Sequence, residues 1–370
     1  MGAGASVDDL RARVARVIPE LTQLASRGLP SGRPGGTGTT GRASGGDGRG
    51  PAGAVDGARD ATDASAFAVT GIGGSSAPAR LLVATLESLG CPARFVPLSA
   101  FAEGTARPRP REALCVFSQG LSPNALLALG CASSFHDAFL FTSVGACDPA
   151  LASFVEGGGH VLTLPPEHES PTLLRIVGPP IAMLAAALFA HEIAGAPIAE
   201  AELARLEPAL VASSERARLA VASLPPFALD APVAFVTSGS GLPLAAGAPI
   251  KWLEGLGVAE PPVWDVLEIA HGPFHAFYTS RCLLVALGRP SPLVARLASM
   301  LAPDRHALVE VPTLLCPSLA PLEVQVAINE LFLASFSRSP RDLFEWPSKG
   351  LDAALYGIDM PVPGEAAPSS

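Results

Sequence analysis

Lysine is nearly absent from this sequence. Of 370 residues only Lys251 and Lys349 are lysines, and every other basic side chain is an arginine. No Lys/Arg-rich run exists and the formal net charge is −9, which argues against a polyanion-binding surface, so neither nucleic acid nor an acidic membrane is an expected partner. Paired cysteine motifs are missing too. Cys91, Cys115, Cys131, Cys147, Cys282 and Cys316 form no C-x-x-C or zinc-finger spacing, and several sit in apolar runs such as "ALCVF" and "RCLLVAL". There a free thiol behaves as a small hydrophobe, which fits a reducing cytoplasm, the expected location. His275 lies four residues after His271 but has no companion ligands, so neither a metal nor a cofactor is expected. A long apolar run is also lacking. The longest, "IVGPPIAMLAAALFA" (176–190), contains Pro179 and Pro180 and is too short to span a bilayer, so no membrane association is expected. The N-terminal "VDDLRARVARVIPELTQLASRG" carries charges throughout and is no secretory leader.

What is present is apolar and long enough for two cores. Hydrophobic residues make up 49% of the chain, and its length accommodates two ordinary domains. Residues 1–28 are read as an N-terminal helix with Val14, Val17, Ile18, Leu21 and Leu24 on one face. Residues 29–65 are Gly-rich, poor in large apolar side chains, and expected to be a disordered linker. A strand–helix rhythm then begins. "AFAVTGIGGSS" is a strand running into a turn, "APARLLVATLESLG" a helix, and "CPARFVPLSAF" and "EALCVFSQGLS" further strands. "PNALLALGCAS" reads as a helix, "DAFLFTSVG" and "HVLTLP" as strands, and "SPTLLRIVGPPIAMLAAALFAHEIAG" as one long helix. The rhythm returns at "PVAFVTSGSG", with "RCLLVALG" and "HALVEVP" as strands around the helix "SPLVARLASML". Continuously apolar strands alternating with helices predict an α/β fold of two tandem units, 66–195 and 226–336. Each would be a parallel sheet with helices on both faces. Helices around 198–222 would join them, and 337–370 would form a tail.

In such sheets ligands meet the C-terminal ends of the strands, where turns and helix starts present backbone N–H groups. Three turns have suitable chemistry: "GIGGSS" (71–76), "SQGLS" (118–122) and "TSGSG" (237–241). A Gly/Ser turn alone is ordinary. "GIGGSS" also lacks the third glycine of a dinucleotide fingerprint and its acidic follower. In the second unit, Lys251 and Glu254 stand at i and i+3 in "KWLEGL", on one helical face. Such a pair is ordinarily a surface ion pair worth ~0.3–0.5 kcal/mol.

Taken together, "GIGGSS", "FSQGLS" and the K-x-x-E followed by "HGP" resemble double SIS (sugar isomerase) proteins. The similarity is to the isomerase half of glucosamine-6-phosphate synthase and to fructosamine-6-phosphate deglycases. It covers roughly 66–345 and includes "PRDL" in the tail. The resemblance implies Glu254 as the base that moves a proton between C1 and C2, Lys251 as the helical lysine, and His271 as the ring-opening residue supplied by the neighbouring subunit. It further implies a sugar phosphate held by Gly73, Ser75 and Ser76 in one loop and by Ser118, Gln119 and Ser122 in another. A homodimer with shared active sites follows. No glutaminase domain is present in this sequence.

The chemistry agrees with these residue types. Aldose–ketose isomerisation needs one carboxylate reaching both carbons, and ring opening needs a group that shuttles a proton near neutrality. Burial beside Trp252 is expected to raise the pKa of Glu254. Three departures stand against the pattern. The second loop reads "SQGLSPN" where the family reads Ser-x-Ser-Gly-x-Thr, so that one hydroxyl position is replaced, Leu121 intrudes and Pro123 follows. Pro249 precedes Lys251, so the helix is expected to start there. Glu345 occupies the place of the family's tail lysine, leaving Trp346 and Lys349 as a candidate lid. The alternative reading is a non-catalytic sugar-phosphate sensor, and a weaker one is a partner of a separate subunit.

Overall fold

The structure, a computed structural model, describes residues 3–29, 62–145, 147–165 and 172–356. Most of the expected linker, 30–61, and the end of the tail, 357–370, lie outside the described residues. Two parallel sheets form the frame. In the first, β1 (Ala66–Gly71), β2 (Ala93–Phe95), β3 (Glu112–Phe117), β4 (Ala138–Thr142) and β5 (His160–Thr163) lie in the order β2-β1-β3-β4-β5. In the second, β6 (Val233–Thr237), β7 (Val263–Asp265), β8 (Cys282–Leu287) and β9 (His306–Val311) lie in the order β7-β6-β8-β9. The second order is the first without its last edge strand. All pairings are parallel, with Val69 opposite Cys115 and Phe235 opposite Val285. The central strands are buried on both faces, which is why their sequences run apolar instead of alternating.

Helices supply the cover. The largest core packs α1 (Ala3–Arg27), α2 (Ser76–Ser88), α6 (Gly178–Ile193), α8 (Leu206–Ser223), α9 (Ala248–Leu256) and α12 (Ala320–Arg338) against the facing sides of both sheets. On the outer side of the first sheet, α3 (Leu98–Ala102), α4 (Pro123–Gly130) and α5 (Ala152–Glu156) enclose a second core. The outer side of the second sheet is covered by α10 (Pro273–Tyr278) and α11 (Pro292–Met300). A short α7 (Glu200–Ala204) precedes α8. Among the described residues no helix is long and apolar enough to cross a membrane.

Several boundaries differ from the sequence patterns for identifiable reasons. "LSAF" is not strand but α3, entered after Pro97, and β2 is only three residues long. The helix expected from residue 170 starts at Gly178, because Pro179 fits only the first turn and the residue before a proline disfavours helix. Pro249 does stand in the first turn of α9, as its position before Lys251 predicts. Two elements carry no pattern. β7 is a three-residue edge, and α12 is buried on nearly all sides, from Leu322 to Phe336, so it lacks an amphipathic stripe.

Candidate active site

The site is built where β1 ends. Gly71 returns so tightly that a Cβ on it would fall 2.4 Å from the Ser75 carbonyl oxygen. Gly73 follows with φ +55°, a left-handed conformation that glycine adopts freely. Residues 73–75 form a single 3₁₀ turn and α2 starts at Ser76. Ser75 stays half-buried in this turn. Ser76 instead lines a cavity between α2 and α9 together with Arg80 and Pro249.

The second turn, after β3, is closed by its own hydroxyls. Buried Ser118 accepts the Ser122 N–H at 3.2 Å, and Ser122 caps α4 by accepting the Ala125 N–H at 3.4 Å. Leu121 takes φ +50°, an uncommon conformation for a branched side chain, to complete the bend. The Gln119 carbonyl accepts the Thr142 hydroxyl at 3.0 Å. Its side chain reaches across to the start of α6, where a Cβ on Gly178 would fall 1.6 Å from Gln119 Nε2. That glycine therefore makes room for the amide.

From the second unit, α9 brings Glu254 to the first turn. Glu254 Oε1 lies 3.9 Å from the position a Cβ on Gly73 would occupy. The helix reaches this far in because Gly255 leaves room for Phe332 of α12: a Cβ there would fall 2.2 Å from the ring. Lys251, one turn earlier, is buried at 1% exposure, so it is no surface cation. Trp252 packs edge-on between Phe235 and Phe332 at 5.5 and 5.4 Å. It belongs to the core, on a different flank of α9 from Glu254, because residues two apart on a helix do not share a face. The expected burial of the Glu254 carboxyl is present.

That burial raises the Glu254 pKa from 4.5 to about 7, while Lys251 and Arg175 act in the opposite direction. Arg175 was not marked by any motif. It sits just before α6, with its Cβ 3.9 Å from the position a Cβ on Gly74 would take. Its approach is fixed from two sides. Arg13 of α1 donates to the Leu174 carbonyl and to Thr172 Oγ1, both at 3.0 Å. The Leu173 N–H donates to the Leu343 carbonyl at 3.3 Å. A carboxyl poised near neutrality, flanked by one ammonium and one guanidinium, can exchange a proton with a bound ligand and hold an anionic oxygen beside it.

The remaining expected residues lie elsewhere in the single chain. His271 is exposed on a short turn that packs against β7 and α10. Lys349 binds within its own segment, donating to Glu345 Oε1 at 2.7 Å and to the Phe344 carbonyl at 2.9 Å. It lies 5.3 Å from the Trp346 ring centre. The tail does reach α9: a Cβ on Gly257 would meet Arg341 Nη1 at 2.0 Å. Among the described residues one grouping has metal-ligand types, Asp63, His136 and Asp137. It lies at the N-terminal ends of β1 and β4, opposite the turns described above.

Comparison with solved structures decides the fold. Over 94% of this chain and 98% of its own, tagatose-6-phosphate ketose/aldose isomerase from Escherichia coli superposes with TM-score 0.62 at 14% identity. The C-terminal domain of glucosamine-fructose-6-phosphate aminotransferase from Francisella tularensis matches with TM-score 0.64 at 12% identity, covering 91% of this chain and 98% of that one. The chain has the SIS-type sugar-isomerase fold. A glucosamine-6-phosphate deaminase from Thermotoga maritima shares it with TM-score 0.60 at 18% identity, over 75% of this chain and 89% of its own. No family model and no curated protein matches the sequence. At these identities the likeness is one of SIS architecture.

Proposed function

We propose that this protein is a sugar-phosphate isomerase or deglycase that moves a proton between C1 and C2 of an amino- or keto-sugar phosphate. One observation carries the reading: a carboxyl with its pKa raised to about 7 lies beside the turn that follows β1 of an SIS fold. Two neighbours in the fold, a tagatose-6-phosphate ketose/aldose isomerase and a glucosamine-6-phosphate deaminase, support the same chemistry.

In this reading the Glu254 carboxylate takes the proton from the carbon next to the carbonyl, leaving an enediolate (an enolamine in an amino sugar), and the hydroxyl proton on that carbon passes to the former carbonyl oxygen. The protonated acid then returns that proton to the adjacent carbon. Lys251 and Arg175 stabilise the oxygen that gains negative charge. Gly73 and Ser75 in one turn, with Ser118, Gln119 and Ser122 in the other, hold the phosphate end. His271 opens the ring from a second subunit, a role that its exposure in the single chain supports. Trp346 and Lys349 close the site as a lid.

The test separates binding from turnover. Calorimetric titration with fructose 6-phosphate, glucosamine 6-phosphate and fructosamine 6-phosphate identifies a bound sugar, and product analysis follows its conversion. The expected result is conversion by the native protein and, in Glu254→Gln, retained binding with conversion lost. Binding without conversion by the native protein supports the sensor reading instead. The departures at Leu121 and Pro123 are what favour that alternative.

A further inference from the structure

The second sheet has a mouth of its own, and it is not the site described above. Because β6, β8 and β9 follow the order of β1, β3 and β4, their C-terminal ends open on the equivalent side of the second unit. A cavity of about 550 Å³ lies there, within the usual range for small-molecule sites. Its floor and walls come from the turn after β6 (Ser238 to Leu244), the turn after β8 (Gly288 to Pro292), Leu315 after β9, and the face of α2 carrying Leu81 and Ala84. Neither Glu254 nor Arg175 lines it.

The chemistry of the lining is divided. Leu81, Ala84, Leu244 and Leu315 give an apolar body. At one side stands Arg289, an exposed guanidinium that makes no hydrogen bond or ion pair among the described residues. Ser291 beside it accepts the Leu293 N–H at 3.2 Å to cap α11, which leaves its hydroxyl hydrogen to donate. Ser238 adds a second hydroxyl. The wall after β9 is rigid, because the buried Glu323 carboxylate accepts the Leu314 and Leu315 N–H groups at 2.8 and 2.9 Å. A fixed apolar recess with one available guanidinium and two hydroxyls suits an anion attached to an apolar group. A bare sugar would leave the leucines unsatisfied.

We infer that this cavity is a second ligand site, separate from the isomerase site, which takes a small organic anion with an apolar body. Its anionic group sits at Arg289, Ser291 and Ser238, and its apolar part packs between α2 and Leu315. The inference does not rest on the proposed catalysis.

The probe is 8-anilinonaphthalene-1-sulfonate, which joins an apolar ring system to one sulfonate. Titrated into the full-length protein, it should bind saturably at one site. Arg289→Glu should weaken binding by about tenfold or more, the scale of a lost charge-assisted hydrogen bond. Ala84→Trp, which fills the recess, should abolish the saturable signal, and Glu254→Gln should bind as the native protein does. Arg289 is exposed, so its substitution tests the site without disturbing the core, and circular dichroism checks the fold of each variant. Native-like affinity in Arg289→Glu, or unsaturable binding shared by all variants, would overturn the inference.

Discussion

At the residue scale the account turns on Glu254. Its pKa rises because burial disfavours the charged form, and two cations limit the rise. The rate of proton transfer should therefore increase with pH through an apparent pKa near 7. Arg175→Met removes one of the opposing charges, so the acidic limb of that profile should move to higher pH. An unmoved limb would mean that the guanidinium does not act on the carboxyl. Stability follows from the same shift. The folded pKa of about 7 exceeds the ordinary 4.5, so this group's contribution is fully present below about pH 4.5 and is lost as pH rises through 7. The full difference is about 3 kcal/mol at 1.36 kcal/mol per pKa unit. Denaturant unfolding at pH 5 and pH 8 should show native stability falling with pH, with a smaller fall in Glu254→Gln.

At the element scale, α9 is the piece that joins the second unit to the first turn. Its position depends on Gly255, where any side chain would meet Phe332. Gly255→Leu should cost about 1–3 kcal/mol by overpacking and should displace Glu254 from Gly73. Unfolding midpoints and proton-exchange rates measure the two effects, and an unchanged rate would mean that the displacement does not matter. This scale also marks what was legible in the sequence. The central strands could be read because they are apolar on both faces, and α9 could be started at Pro249. Lys251 and Glu254 could be paired by spacing. α6 begins later than its apolar run suggests because Pro179 and Pro180 fit only the first turn of a helix, a signal that continuous hydrophobicity masks. α12 was invisible because its burial is nearly uniform. Arg175 could not be found because its neighbours, Gly74 and Glu254, are about 100 and 79 positions away in the chain. Only tertiary packing joins them.

At the scale of the whole molecule, Glu254 of the second unit meets the first turn of the first, and His271 is exposed in a single chain. The proposed dimer predicts complementation. Glu254→Gln and His271→Asn should each be inactive alone. Refolded together, they should recover activity, because a mixed dimer contains one site with both native groups. No recovery in a verified mixed dimer would remove His271 from the shared site. The central claim, that Glu254 moves a proton on a sugar phosphate, is tested most directly by proton NMR in D₂O. Fructose 6-phosphate, glucosamine 6-phosphate and fructosamine 6-phosphate are each incubated with the native protein and with Glu254→Gln. The account predicts enzyme-dependent loss of a C1 or C2 proton signal in at least one sugar, abolished in the variant. Exchange that persists in Glu254→Gln, or no exchange with any of the three, would contradict it.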